Sequence, residues 1–198
     1  MSEVKLLFAG PMGAGKTTAI RAISEVEPIA TEVANTDLVE SAKLETTVAM
    51  DYGQLTLDNG DTLRLYGSPG QRRFDFMWRL LADGALGIVV LLDNSRADPL
   101  ADLEHFVVAF APMIAAGRVV IAPGRLETHP SPSLDDYLAR LDALGHFVPV
   151  VPADVRRRDD VLRVLDVLFE QIELAEETES VDGDGDEWLR FVQQARAT

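Results

Sequence analysis

Residues 10 to 17 read GPMGAGKT, and few runs of eight residues constrain a chain as strongly. The pattern G-x-x-x-x-G-K-[ST] follows a short apolar run, KLLFA at 5 to 9. It precedes TTAIRAISEV at 17 to 26, whose apolar residues recur at helical spacing. Strand, glycine-rich loop and helix in that order form an anion nest. Gly10, Gly13 and Gly15 let the backbone turn its N–H groups inward, those of Ala14 and Thr18 among them, and the helix adds the positive end of its dipole. Lys16 is placed to reach the β- and γ-phosphates of a nucleotide, and the Thr17 hydroxyl to ligate magnesium.

Composition bounds what can surround this loop. A chain of 198 residues, 47% hydrophobic and 26% charged, fits one ordinary domain that buries roughly 70% of its unfolded surface. The absence of cysteine excludes disulfides, thiolate metal sites and a thiol nucleophile; it fits a reducing cytosol, so a cytoplasmic location is expected. The single lysine and short apolar run at the N-terminus lead directly into the glycine-rich loop, and no apolar stretch approaches the ~20 residues that span a bilayer. We read neither signal peptide nor membrane anchor. A net charge of −15 argues against nucleic acid, whose binding needs clustered Lys and Arg. Protein and nucleotide partners remain.

The pattern of elements predicts an α/β chain with a mostly parallel six-stranded sheet, one antiparallel edge hairpin and helices on both faces. Alternation over 48 to 57, the turn Asp58-Asn59-Gly60 and a strand through Leu63 and Leu65 read as the hairpin. ALGIVVLLD at 85 to 93 is continuously apolar, as expected of a strand covered on both faces. Further strands are expected at 118 to 122 and 147 to 151, and helices over FDFMWRLLADGA (74 to 85) and at about 100 to 116, 133 to 144 and 158 to 176. We expect a domain over 1–176, then an acidic linker and short terminal helix over 177–198. From Glu170 to Glu187 nine residues are acidic and none basic. A calcium loop at DGDGD is the sharper reading of that tail, but the pattern wants Gly at Glu187 and Glu at Gln193.

Taken in order and spacing, GPMGAGKT, the threonines of ETTVAMDYG (45 to 53) and GSPGQ (67 to 71) resemble the Ras-like small GTPases over about residues 1 to 170. The similarity is greatest to the bacterial, roadblock-associated branch that includes gliding-motility GTPases. The resemblance implies a P-loop NTPase fold, GTP or GDP with Mg2+ as ligands, and a protein regulator, possibly a roadblock-type dimer. It implies Thr47, with Thr17, as a magnesium ligand, Gly70 as the glycine that senses the γ-phosphate, and Gln71, with Lys16, as catalytic. The family's guanine-reading N-K-x-D corresponds here to Gly124-Arg125-Leu126-Glu127, and its last loop to Asp154-Val155-Arg156. Glu127 can replace the aspartate and the Arg125 stem can stack on the base, but the asparagine is gone, so guanine is favoured with adenine left open.

One departure raises a question that the sequence leaves unanswered. Where the family's D-x-x-G-Q has an aspartate that touches magnesium through water, this chain has Gly67. The nearest replacements by position are Asp51 and Asp93. Restoring Asp at Gly67 is expected to tighten magnesium-dependent binding, provided the backbone admits a Cβ there. Three functions stay open: a slow GTPase switch, a nucleotide-loaded scaffold that does not hydrolyse, and a P-loop kinase for a small molecule. The kinase reading draws on the arginine run 156 to 158, whose plainer reading is a solvated helix start. Arg72 and Arg73 can serve as a finger in cis or pair with a partner.

Overall fold

The computed structural model of the protein describes residues 3–33, 48–57 and 60–180. Its centre is β1 (Glu3–Ala9), which pairs in parallel with β4 (Thr62–Gly67) on one side and β5 (Ala85–Asp93) on the other. Beyond β5 lies parallel β6 (Val119–Gly124); beyond β4, β3 (Val48–Thr56) and β2 (Ile29–Val33) run antiparallel to their neighbours, giving the order β2-β3-β4-β1-β5-β6. The chain leaves β1 toward one edge and reaches the other through β5. The β1/β5 boundary is thus a topological switch point, whose carboxyl-end crevice is the ligand position in open parallel sheets.

Burial on both faces explains the unbroken apolar strands. Leu6 and Phe8 of β1 join Val89, Leu91, Val120 and Ala122 in one core. That core lies under α1 (Lys16–Ile23) and α6 (Arg158–Ser180), which contribute Ile20, Leu168 and Ile172. Leu7 and Ala9 point the other way, with Ile88, Val90 and Ile121, against Trp78 of α2 (Asp75–Ala82), Phe106 of α3 (Pro99–Ala109) and Tyr137 of α5 (Leu134–Ala143). Every residue of β5 is buried, which a strand sandwiched between two helical layers requires.

Local chemistry sets the helix ends. The Asp98 side chain accepts from the Ala101 N–H with Pro99 in the first turn, and Ser133 and Asp136 form a capping box at the start of α5. The helix expected over 100 to 116 breaks at Phe110 into α3 and the short α4 (Ala111–Ala115). Pro112 cannot donate to the preceding turn. The final helix, expected to end at 176, continues to Ser180. Residues 181–198, with the acidic run DGDGD, lie outside the described residues.

The strands differ from expectation in membership. At 147 to 151 the chain makes only an isolated bridge, Val150 to Ile121. Pro149 has no N–H for the Val119 carbonyl and Pro123 none for the Val151 carbonyl, so beyond the bridge the two segments share a bond from the Ala153 N–H to the Pro123 carbonyl at 3.2 Å but no regular ladder. The stretch after α1, for which no strand is expected above, places β2 on the edge beside β3. The 48-to-67 hairpin forms as expected, with Gly60 at φ 81° and its N–H donating to the Leu57 carbonyl.

One aromatic cluster connects this scaffold to the loop after β4. Trp78 is 1% exposed, stacks on Phe106 at 4.5 Å between ring centroids and meets the His105 ring edge-on at 5.3 Å. Its indole N–H donates to the Pro69 carbonyl at 2.7 Å. Trp78→Ala is therefore expected to lower stability by about 3–5 kcal/mol. Trp78→Phe, which keeps most of the ring and orphans the carbonyl, should cost about 1–2 kcal/mol and speed hydrogen exchange at Ser68. Denaturant unfolding and exchange mass spectrometry check both; unchanged exchange at Ser68 in Trp78→Phe would show that the indole does not hold the loop.

Candidate functional site

The glycine-rich loop joins β1 to α1 at the switch point. Gly10 adopts φ 146° with the Leu91 carbonyl oxygen 2.2 Å from where a Cβ would stand, so no other residue fits. Gly13 and Gly15 are also left-handed, at φ 86° and 93°. No side chain caps the start of α1, so its first N–H groups face the loop. Ala14 is buried and donates to the Pro11 carbonyl at 3.2 Å, whereas Thr17 and Thr18 are exposed. Lys16 lies inside the curl, 9% exposed, its ammonium donating to the Gly10 and Pro11 carbonyls at 2.8 Å each. Burial pushes that ammonium down from 10.5 to about 8, with the Asp51 carboxylate acting in the opposite direction.

The loop after β4 rests directly on this nest. The Met12 N–H donates to the Gly70 carbonyl at 3.1 Å, and a Cβ on Gly70 would stand 2.5 Å from the Met12 nitrogen and 2.8 Å from the Lys16 ammonium. Gly70 is required by that approach. Gln71 follows, exposed, with its carbonyl accepting from the Phe74 N–H. Arg73 stacks on the Phe74 ring, 4.7 Å from its centroid, and the Arg72 side chain lies outside the described residues. Thr47 likewise lies outside them.

Thr17 has a carboxylate partner that is not on its own loop. Its hydroxyl donates to Asp51 Oδ2 at 2.5 Å. Asp51 on β3 is in register with Gly67 on β4. A Cβ on Gly67 would lie 3.0 Å from both Cβ and Oδ2 of Asp51 and 3.3 Å from Ile20. Gly67 is not among the positive-φ glycines, so its backbone admits a Cβ; the obstacle to Gly67→Asp is the Asp51 carboxylate, which already holds the space above it. Asp93, the other candidate, accepts from the Ser95 N–H and hydroxyl at 2.9 and 2.6 Å and pairs with Arg125 at 3.3 Å. It serves the other end of the site.

That end is a cavity of about 610 Å³ running from Gly13 and Gly15 past Arg125 and Glu127 to Asp154 and Arg156. Arg125, at a positive φ of 63°, donates to Ser95 Oγ at 2.9 Å and reaches the Gly13 carbonyl at 3.5 Å. It ties the β6 loop to the glycine-rich loop. Glu127 is exposed on the cavity wall. Asp154 is bound by Arg156 through two guanidinium nitrogens, at 2.8 and 2.7 Å, and these bonds pull its carboxyl down to about 2. Asp154 and Arg156 both line the cavity, and each Asp154 oxygen accepts from Arg156 while keeping acceptor capacity for a further donor.

The arginine run is used for structure. Arg157 faces Asp160 at 4.0 Å, and Arg158 donates to the Ile23 and Ala22 carbonyls at the end of α1, at 2.9 and 3.4 Å. Asp160, which the sequence reading missed, accepts from the Asp154 N–H at 3.0 Å and lines the cavity. Asn94 was also missed. Its amide donates to the carbonyls of His129 and Pro132 and accepts from the Tyr137 hydroxyl, which fixes the loop carrying Arg125 and Glu127. The available signal was the polar triplet Asp93-Asn94-Ser95 ending the most apolar strand.

Comparison with known proteins agrees with this geometry at the level of fold. The G domain of the T. maritima FeoB iron transporter superposes with a TM-score of 0.58 at 18% identity, covering 87% of this chain and 98% of that one. A family described as conserved hypothetical ATP binding protein matches residues 26–121. The uncharacterized protein MJ1339 of Methanocaldococcus jannaschii is 32% identical over 105 residues, which span 52% of this chain and 58% of the relative. The chain thus spans little more than half the length of that curated relative. The fold is that of a P-loop nucleotide-binding protein. No helix among the described residues is long and apolar enough to cross a membrane.

Lys16 supplies a test of the nest. Polyphosphate restores the ammonium that burial weakens, so binding should take up a proton as pH rises through about 8, and affinity should fall across that range. Calorimetry in buffers of different ionisation enthalpy measures the uptake. Lys16→Ala should abolish it and weaken nucleotide binding by about 2–4 kcal/mol; equal affinities would remove Lys16 from the site.

Proposed function

We propose that the protein is a guanine-nucleotide switch: it binds GTP or GDP with Mg2+, hydrolyses GTP slowly, and signals the state of the nucleotide through the loop 67 to 71. The observation that carries this reading is the contact between the Met12 N–H and the Gly70 carbonyl beside the Lys16 ammonium. A terminal phosphate held by Lys16 competes for the space that Gly70 occupies, so the loop responds to its presence. Gln71, next in the chain and exposed, is placed to orient the attacking water once the loop has moved. Thr17 and, by family resemblance, Thr47 supply hydroxyl ligands for Mg2+, whose charge neutralises that developing on the phosphates.

The preference for guanine rests on Glu127. Of the cavity's carboxylates, Asp93, Asp154 and Asp160 each accept hydrogen bonds from neighbours. Glu127 stands at the wall where a base edge with two N–H donors would meet it. An adenine nucleotide is the second reading, favoured by the description of the family that matches residues 26–121 and by Gly124 in place of the asparagine. A kinase reading loses its main support, since Arg156, Arg157 and Arg158 pair within the protein. Phe76 and Leu80, 47% and 63% exposed on α2 beside the moving loop, suit a protein regulator, for which the family resemblance suggests a roadblock-type dimer.

Mass spectrometry of the nucleotide retained by the purified protein tests the reading. GDP or GTP is expected; a retained adenine nucleotide would overturn the guanine assignment, and failure of either class to bind in calorimetry would overturn the whole. In single-turnover assays Gln71→Leu should slow hydrolysis by at least about tenfold. Equal rates for wild type and Gln71→Leu would favour the scaffold that does not hydrolyse.

A further inference from the structure

The carboxylate missing at Gly67 has a counterpart one strand away. Asp51 and Gly67 face each other across the antiparallel β3–β4 pair, so their Cα–Cβ directions share the α1-facing side of the sheet. The Asp51 carboxylate fills the space into which a residue-67 side chain would project, with Cβ and Oδ2 each 3.0 Å from the Cβ position of such a residue. From there Oδ2 accepts the Thr17 hydroxyl proton at 2.5 Å. Two observations thus converge on one place: an acid that reaches the phosphate loop from β3, and a glycine on β4 that leaves room for it.

We propose that Asp51 is the residue that positions the divalent cation, replacing from β3 the carboxylate that β4 lacks, and that Gly67 is the vacancy it requires. The inference rests on the nucleotide-binding reading above. A hydroxyl that ligates a cation does so through a lone pair, with its proton directed away. A carboxylate that accepts this proton fixes the lone pair on the ion and strengthens the ligand. Asp51 does this for Thr17, and its second oxygen, which accepts no hydrogen bond from the described residues, can take a water in the ion's shell. Magnesium keeps several waters when bound, so an outer carboxylate of this kind suits it. An aspartate at 67 beside Asp51 would force two carboxylates into one space, where like charges oppose each other.

The test compares wild type, Asp51→Asn, Gly67→Asp and the exchange Asp51→Gly/Gly67→Asp. Stopped-flow release of a fluorescent N-methylanthraniloyl GDP, or its ADP counterpart if adenine is the base found, is measured with Mg2+ and with EDTA. The readout is the ratio of the two rates, and thermal unfolding without nucleotide confirms that each variant is folded. Asp51→Asn, nearly isosteric, should reduce the ratio about ten- to a hundredfold. Gly67→Asp alone should not increase it, and the exchange should restore most of what Asp51→Asn loses. A merely structural tether between β3 and α1 would change both rates together and leave the ratio intact. A ratio unchanged in Asp51→Asn, or raised in Gly67→Asp alone, would overturn the proposal. A wild type that holds nucleotide with no response to Mg2+ would overturn it too while leaving nucleotide binding standing; a wild type that binds no nucleotide would remove both.

Discussion

A buried ammonium is tolerable only where its surroundings return what water gave up. In this protein the Gly10 and Pro11 carbonyls do so for Lys16, and much of the site's construction follows from that arrangement. The loop can present two carbonyls inward because Gly10 adopts a conformation, and tolerates a contact with the Leu91 carbonyl, that no side chain permits. That contact exists because β1 and β5 are adjacent and parallel with their carboxyl ends aligned. Their adjacency depends on helices covering both faces of strands that are apolar throughout. The charge, the loop and the central sheet are therefore one construction, and loosening any of them leaves Lys16 without compensation.

Toward the base end the same economy of partners has a different effect. Arg125 links Asp93, Ser95 and the Gly13 carbonyl. The β6 loop and the phosphate nest are therefore joined through one guanidinium. Arg156 and Asp154 satisfy each other across the cavity wall. A ligand that takes either partner must compensate the other, which favours ligands that carry both a donor and an acceptor on the edge they present. Selectivity of this kind arises from unpaired groups left behind as much as from new contacts.

Much of the fold was legible because its signals are short-range. The glycine-rich loop, the apolar run 85 to 93 and the Gly60 turn each declare themselves within a few residues. The failures have identifiable physical causes. FVPVV has the composition of a strand, yet Pro149 on this segment and Pro123 on β6 withhold the donors a ladder needs, and only Val150 makes a bridge. IATEV lies in an acidic stretch without strong alternation and becomes a strand only because β3 offers it an edge. Within the site, Lys16 lies inside the curl of its own loop and Gly70 packs beside it. Asn94, Asp160 and the Arg156–Asp154 pair depend on which loops meet at the cavity, and spacing along the chain carries no record of that.

Register between β3 and β4 has a broader consequence for how such chains are compared. Two residues opposed across an antiparallel pair, here Asp51 and Gly67, are 16 positions apart in sequence yet share one small volume of space. Either strand can deliver a side chain into that volume, provided the other leaves it empty. A sheet of this kind can pass a functional group sideways between neighbouring strands while the backbone stays as it is. Across related sequences, selection would then act on the pair: an acid on one strand would accompany a small residue on the other. An alignment scored one column at a time would record such an exchange as a lost residue in one place and an unexplained acid in another.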